Sequence, residues 1–309
     1  METSSDFPGV FQTICHIFHL ICDVIYFRIT NTFLFWQHVE PEGKAVLISG
    51  CDTGFGNAFA RKLDAEGFLV FASCLNPAGP GATELNKETS ERLKILGMDV
   101  TNDESVAKAA EFVKDNLGNC KLWAIVNNAG VYKRKSQGRV VNVTSLGGRV
   151  GVPHLTPYIV SKFAAVGFTE CLRREMDIWG LRVIGIEPEP FRTPMTNTEV
   201  AVTRLDEMLP TLNPSIMEDY GPKYFKQLKA FVMLYDKVVS PKIYRVVDAL
   251  YSAVASKYPS PIYRPSRNYF VEMSTIVTHF LPTCVMDFIT RVTLFVLNSP
   301  IPKMAEKCL

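Results

Sequence analysis

Tyr158 and Lys162 stand four residues apart in Tyr158-Ile159-Val160-Ser161-Lys162. They open a long helical pattern, so this spacing puts both on one face. A lysine ammonium beside a phenol favours the phenolate and brings it towards neutral pH, which makes tyrosine a usable general acid or base. Upstream, Ser145 follows the apolar run 139–144 (RVVNVT), where its hydroxyl can hold a substrate oxygen. Taken alone, a tyrosine and a lysine at this spacing describe many solvated helix faces. The segments around them decide the chemistry.

Those segments alternate between strand and helix patterns. Residues 44–49 (KAVLIS) form a short apolar strand, and Gly50-Cys51-Asp52-Thr53-Gly54-Phe55-Gly56 follows at once. An amphipathic helix then runs from Phe55 to Glu66. A strand that turns through glycines into a helix brings backbone N–H groups and the positive helix end up to a pyrophosphate, and glycine permits the close approach. Further apolar strands are expected at 68–74, 93–98 and 122–127, with a helix over 103–117; the last strand ends in Asn127-Asn128-Ala129-Gly130. Continuous apolar strands alternating with helices imply a parallel sheet covered on both faces. At the end of the second strand an acid would accept hydrogen bonds from ribose hydroxyls and an arginine would hold a 2′-phosphate. Cys74 and Leu75 stand there instead, so NAD is the expected cofactor and NADP is not excluded.

Together, the glycine turn, the NNAG stretch and the Ser145, Tyr158, Lys162 spacing resemble the short-chain dehydrogenase/reductase family. SGCDTGFGNAFARKLDAEGFLVFASCL, LWAIVNNAG, GRVVNVTS and EDYGPKYF are similar to its branch of retinol dehydrogenases, 17β-hydroxysteroid dehydrogenases and D-β-hydroxybutyrate dehydrogenase. The resemblance covers residues 44–290 and implies an α/β, Rossmann-type, doubly wound parallel sheet. It implies that Gly50, Gly54, Phe55 and Gly56 hold the pyrophosphate, Asp99 and Val100 the adenine, and Asn127, Ala129 and Gly130 the floor of the cofactor site. Tyr158 would be the proton donor or acceptor, Lys162 would bind the nicotinamide ribose and tune the tyrosine, and Ser145 would polarise the carbonyl. Thr193, after the strand at 181–187, matches the threonine that contacts the carboxamide. Pro188-Glu189 stands where the family has Pro-Gly.

One departure is larger. Between Gly130 and Gly138 the chain has only VYKRKSQ, whereas a parallel strand pair ordinarily needs a crossover of a dozen residues or more, usually a helix. The resemblance places a long helix there, so roughly three dozen residues and the crossover helix between strands 4 and 5 are expected to be missing. That helix would cover one sheet face, carry an asparagine that supports the proton relay and form much of the dimer contact. Its loss makes a homodimer doubtful, exposes apolar strand surface and makes an impaired or inactive form the competing expectation.

The remaining chain sets the context. With 33 Lys+Arg against 31 Asp+Glu, the +2 charge gives no reason to expect nucleic acid. The eight cysteines (15, 22, 51, 74, 120, 171, 284 and 308) form no CxxC pair, and neither His154 nor His279 has a partner at metal-ligand spacing. Reduced thiols and no metal are expected. The sequon at Asn142 lies inside an apolar strand and is not expected to carry sugar. Lys133-Arg134-Lys135 is read as a solvated loop. Within the N-terminal segment 1–43, residues 9–36 are apolar but interrupted by His16, His19, Asp23 and Arg28, which suits a signal-anchor or interfacial helix at a membrane surface. The acidic METSSDF opening favours the endoplasmic reticulum over the mitochondrion. The catalytic domain then spans 44–268, with 196–240 expected as a mobile lid, and an apolar extension spans 269–309. The extension suits a substrate channel or membrane docking. A lipophilic alcohol such as a steroid or retinoid is the expected substrate, with D-3-hydroxybutyrate as the alternative.

Overall fold

The computed structural model describes residues 38–128, 138–297 and 299–304. The segment 1–37, Ala129, Gly130, the 131–137 connection with its basic run, and the last five residues lie outside the described part.

Each expected strand forms, within a residue at either end: β1 (Lys44–Ile48), β2 (Leu69–Cys74), β3 (Leu93–Gly97), β4 (Lys121–Asn127), β5 (Arg139–Val143) and β6 (Arg182–Ile186), with a short β7 (Ile262–Tyr263) at the edge. They make one parallel sheet in the order β3-β2-β1-β4-β5-β6-β7. The order reverses direction between β1 and β4, and the crevice beyond the strand ends at such a point is where parallel sheets hold ligands.

Helices α1 (Gly54–Ala65), α2 (Pro80–Glu88) and α7 (Tyr244–Ala255) bury Phe59, Leu63, Leu85 and Leu250 against one sheet face. On the other face, α3 (Asp103–Asn116) covers Phe71 and Leu96 through Ala109 and Val113, and α4 (Thr156–Asp177) covers Val140 and Val183 through Leu172. α3 is capped by Asn102, whose side chain accepts from Ser105 N. The two faces are unequally covered. Val46, Ile48, Ala124 and Val126 are buried beneath α1 and α7, whereas Leu47 and Ile125, which point the other way between α3 and α4, are only half-buried. β4 and β5 are paired neighbours, Ala124 opposite Arg139, joined by residues 128–138 alone.

α5 (Thr198–Met208) and α6 (Pro214–Leu234) follow β6, and α6 is broken at Gly221 (φ 75°, ψ 156°) ahead of Pro222. The apolar C-terminal run folds as α8 (Tyr269–Phe280) and α9 (Thr283–Val296). Among the described residues no helix is long and apolar enough to cross a membrane.

Candidate active site

β1 delivers its chain into the glycine turn at the switch point. Gly54 takes φ +69°, and a Cβ there would lie 3.9 Å from the Thr193 methyl, so the turn and the loop after β6 adjoin. At Gly56 a Cβ would come within 2.4 Å of the Gly50 carbonyl oxygen. Only glycine fits there, and it lets the first turn of α1 pack directly on the turn that leaves β1. Across the switch point Asn128 donates through Nδ2 to the carbonyls of Ser49 and Gly50, each at 3.0 Å. Reading the strand end for its cofactor floor missed this bracing role, although the doubled asparagine marked the place. Asn127 is buried, and its side chain donates to Asn142 Oδ1 (2.9 Å), while Asn142 Nδ2 donates to Thr169 Oγ1 (3.1 Å). Asn127 therefore ties β4 to β5 and α4, and the buried Asn142 is sealed from any glycan.

Cys74 ends β2 buried, its thiol pushed up to about 12 by burial and then by Asp52. The Asp52 carboxylate accepts from Leu75 N (2.8 Å) and Asn76 N (3.0 Å) and so shapes the turn beyond β2. Beyond β3, hydrogen bonds from Thr101 Oγ1 (2.7 Å) and N (2.9 Å) hold the Asp99 carboxyl below its ordinary range. Val100 follows half-buried. Asp99 and Val100 thus lie at the same end of the sheet as the glycine turn, at its β3 side.

The catalytic candidates meet farther along that edge. Ser145, Tyr158, Lys162, Phe55, Asn128 and Thr193 all line one cavity of about 400 Å³. β5 places Ser145, whose Oγ accepts from Gly147 N (3.0 Å), and the first turns of α4 place the other two. A Cβ on Gly147 would sit 3.4 Å from both Ser145 Oγ and the Tyr158 ring, so these two side chains converge. Lys162 Nζ lies 5.7 Å from the Tyr158 ring centroid, and burial lowers its pKa. Phe55 meets Phe191 edge-on, centroids 6.2 Å apart. Val152, Leu155 and Met195 add apolar wall, and Tyr235, its phenol pushed up by burial and then by Tyr158, lines it as well. Tyr235 was missed because nothing in its local sequence signals a site.

The loop bearing Thr193 is fixed by two buried carboxylates. Glu187 accepts from Arg149 (2.7 Å) and Arg264 (2.9 Å), and Glu189 accepts from Arg267 Nε (3.1 Å) and from its backbone N–H. Glu189, where the resemblance calls for glycine, is thus clamped to the segment that enters α8. Among the described residues no group of three or more His, Cys, Asp or Glu is placed to hold a metal. His279 is in α8, and His154 (φ 67°) bonds Ser299 at 2.9 Å.

A sequence model of the short chain dehydrogenase family matches residues 44–136 and 131–203, two stretches that meet at the short connection. The chain is 33% identical to estradiol 17-beta-dehydrogenase 2 of Mus musculus over 284 positions, covering 80% of this chain and 74% of that one. It is equally 33% identical to 17-beta-hydroxysteroid dehydrogenase type 6 of Rattus norvegicus (81% and 88% covered) and to the mitochondrial D-beta-hydroxybutyrate dehydrogenase of the same species (81% and 84%). The mouse alignment spans 284 positions yet draws on 80% of a 309-residue chain, so about three dozen of its positions have no counterpart here. Among solved structures, a short-chain dehydrogenase/reductase from Brucella melitensis matches with TM-score 0.54 at 19% identity, covering 74% of this chain and 96% of that one. That likeness concerns the fold.

Proposed function

The chain belongs to the short-chain dehydrogenase family, and from that premise we propose that it interconverts a lipophilic alcohol, of steroid or retinoid type, and its carbonyl by hydride transfer with NAD. The observation that carries this reading is the single cavity in which Ser145, Tyr158 and Lys162 meet beneath apolar walls. The glycine turn at Gly54 and Gly56 suits a dinucleotide pyrophosphate, with Asp99 and Val100 towards the adenine and Thr193 at the carboxamide; the resemblance assigns Ala129 and Gly130, outside the described residues, to the cofactor as well. When bound, the cofactor accepts or supplies the hydride. Tyr158 takes the hydroxyl proton in oxidation and returns it in reduction. Ser145 holds the substrate oxygen, and the Lys162 ammonium favours the phenolate and anchors the ribose. With Cys74 buried and the next two amides bound to Asp52, β2 itself ends in Cys74-Leu75-Asn76 and supplies no cation for a 2′-phosphate, which supports NAD over NADP.

Among the described lining residues Lys162 and Glu189 are the only charged side chains. An apolar alcohol suits such walls better than D-3-hydroxybutyrate, whose carboxylate would need a second cation. The 196–240 segment, of which Thr196 and Tyr235 line the cavity, serves as its lid. Association with the endoplasmic reticulum membrane accords with the lipophilic substrate, a mitochondrial site being the alternative. A second reading rests on the half-exposed Leu47 and Ile125 and on the family match that breaks at the short connection: a form impaired by loss of the crossover helix, binding cofactor without turnover. NAD-dependent turnover of steroids, retinol and 3-hydroxybutyrate, beside NADH binding, tests both. Steroid or retinol oxidation that Tyr158→Phe abolishes supports the first reading; NADH binding with no turnover of any substrate supports the second.

A further inference from the structure

The helix nearest the end of the described chain turns its apolar side outward. Met286, Thr290 and Leu294, at i, i+4 and i+8 of α9, are half-buried and form its inner face. Opposite them Val285, Phe288, Ile289, Val292, Phe295 and Val296 are all exposed, Phe288 by 67% and Phe295 by 87%. At 3.6 residues per turn these six fall within an arc of about 120°. No residue of α9 is buried. A helix packed on a protein in water faces this stripe inward, and an exposed one marks an interaction surface.

The helix that bears the stripe is joined to the cavity wall at both of its ends. Ser274 and Thr278 of α8 line the cavity, and α8 leads through Leu281 and Pro282 into α9. Beyond α9, Ser299 bonds His154, which lies between the rim residues Val152 and Leu155. Exposed Met195 lies on the same lining. Arg291 is exposed and borders the stripe, suited to reach lipid phosphates.

We propose that the outward stripe of α9 lies on a lipid bilayer and that the rim formed by α8 and the 152–155 loop opens towards it, so that alcohol dissolved in the membrane enters the Tyr158 cavity from the lipid side. The entry route rests on the apolar-alcohol reading given above; the docking rests on the stripe. A second protein seated on α9 would crowd the rim through which the ligand passes, whereas a bilayer holds the ligand and supplies it.

Full-length chain carrying Phe288→Trp, Phe295→Trp or, beside the inner face of the helix, Asp287→Trp is mixed with phosphatidylcholine–phosphatidylserine vesicles bearing brominated acyl chains. After subtraction of the parent signal, docking predicts strong quenching at 288 and 295 and weak quenching at 287. Equal quenching at the three positions, the result of tethering by another segment, overturns the proposal. So does shielding at 288 and 295 that rises with protein concentration and needs no vesicles, the result of self-association. In parallel, a Phe288→Ser/Phe295→Ser double variant, both positions lying outside the core, is expected to raise KM for a vesicle-dissolved sterol on the order of tenfold while KM for a short water-soluble alcohol stays unchanged. A chain that shows the quenching contrast but turns over neither alcohol contradicts the activity reading and leaves the docking standing. Equal KM changes for both alcohols contradict the lipid-side route.

Discussion

At the scale of single residues, chemistry here depends on what surrounds Lys162. Burial lowers its pKa, so the ammonium persists only below that lowered value and is lost as pH rises through it. Oxidation should therefore show an alkaline limb in kcat/KM beginning below the ordinary lysine value of about 10.4, and a pH profile of Lys162→Arg, whose charge does not titrate, should lack that limb. A limb that persists unchanged in the arginine variant contradicts this assignment. The same shift bears on folding: the unfolded chain binds this proton more tightly, so its cost to stability is present below the folded pKa and fades as pH rises towards the unfolded one. Glu187 is the residue whose loss should cost most stability. It is buried and receives Arg149 and Arg264 together, so Glu187→Gln should cost about 3–5 kcal/mol, read as a lowered denaturation midpoint. Neither clamp was legible in the sequence, because Glu187 and Arg264, like Glu189 and Arg267, lie more than 70 residues apart and only the parallel course of β6 and β7 brings them together.

At the scale of elements, the strand–turn–helix of β1 and α1 was readable because apolar runs and glycines carry the pattern locally. Gly56→Ala should push the glycine turn away from α1, since the added methyl meets the Gly50 carbonyl; isothermal titration should show NADH affinity falling at least tenfold with the fold's circular dichroism retained. Unaltered affinity would place the pyrophosphate elsewhere. Asn128→Ala removes the bridge between β4 and the turn and should weaken NADH binding less, because the turn keeps its backbone geometry. The helix α2, the two-residue β7 and the amphipathic α7 did not stand out in the sequence. α2 starts in the glycine- and proline-rich 76–81 stretch, and β7 is too short for any periodicity, its pairing with β6 being a consequence of the sheet. The apolar 269–298 segment read equally as channel or surface, and only the exposure of α9 separates its inner from its outer face.

At the scale of the whole molecule, the described residues bury one sheet face fully beneath α1 and α7, whereas on the other face Leu47 and Ile125 are only half-buried. Apolar surface of this kind favours association and lowers stability. Inserting a family-length amphipathic helix in the 131–137 connection should raise the melting temperature and suppress light scattering on heating; no change in either would mean that the described core is already complete. The shortness of the β4–β5 connection was legible in the seven-residue VYKRKSQ, since a helical crossover needs a dozen residues or more, whereas the helix expected there came from the family resemblance and falls outside the described residues. What most needs testing in this molecule is that Tyr158 drives NAD-dependent oxidation of an apolar alcohol. The most direct measurement is NADH formation by the purified 309-residue chain with a steroid and a retinoid alcohol, beside Tyr158→Phe. Turnover that falls by about 10²–10⁴ in the phenylalanine variant, with NADH affinity unchanged, is the predicted result; turnover equal in the two chains, or none in either despite NADH binding, would contradict it.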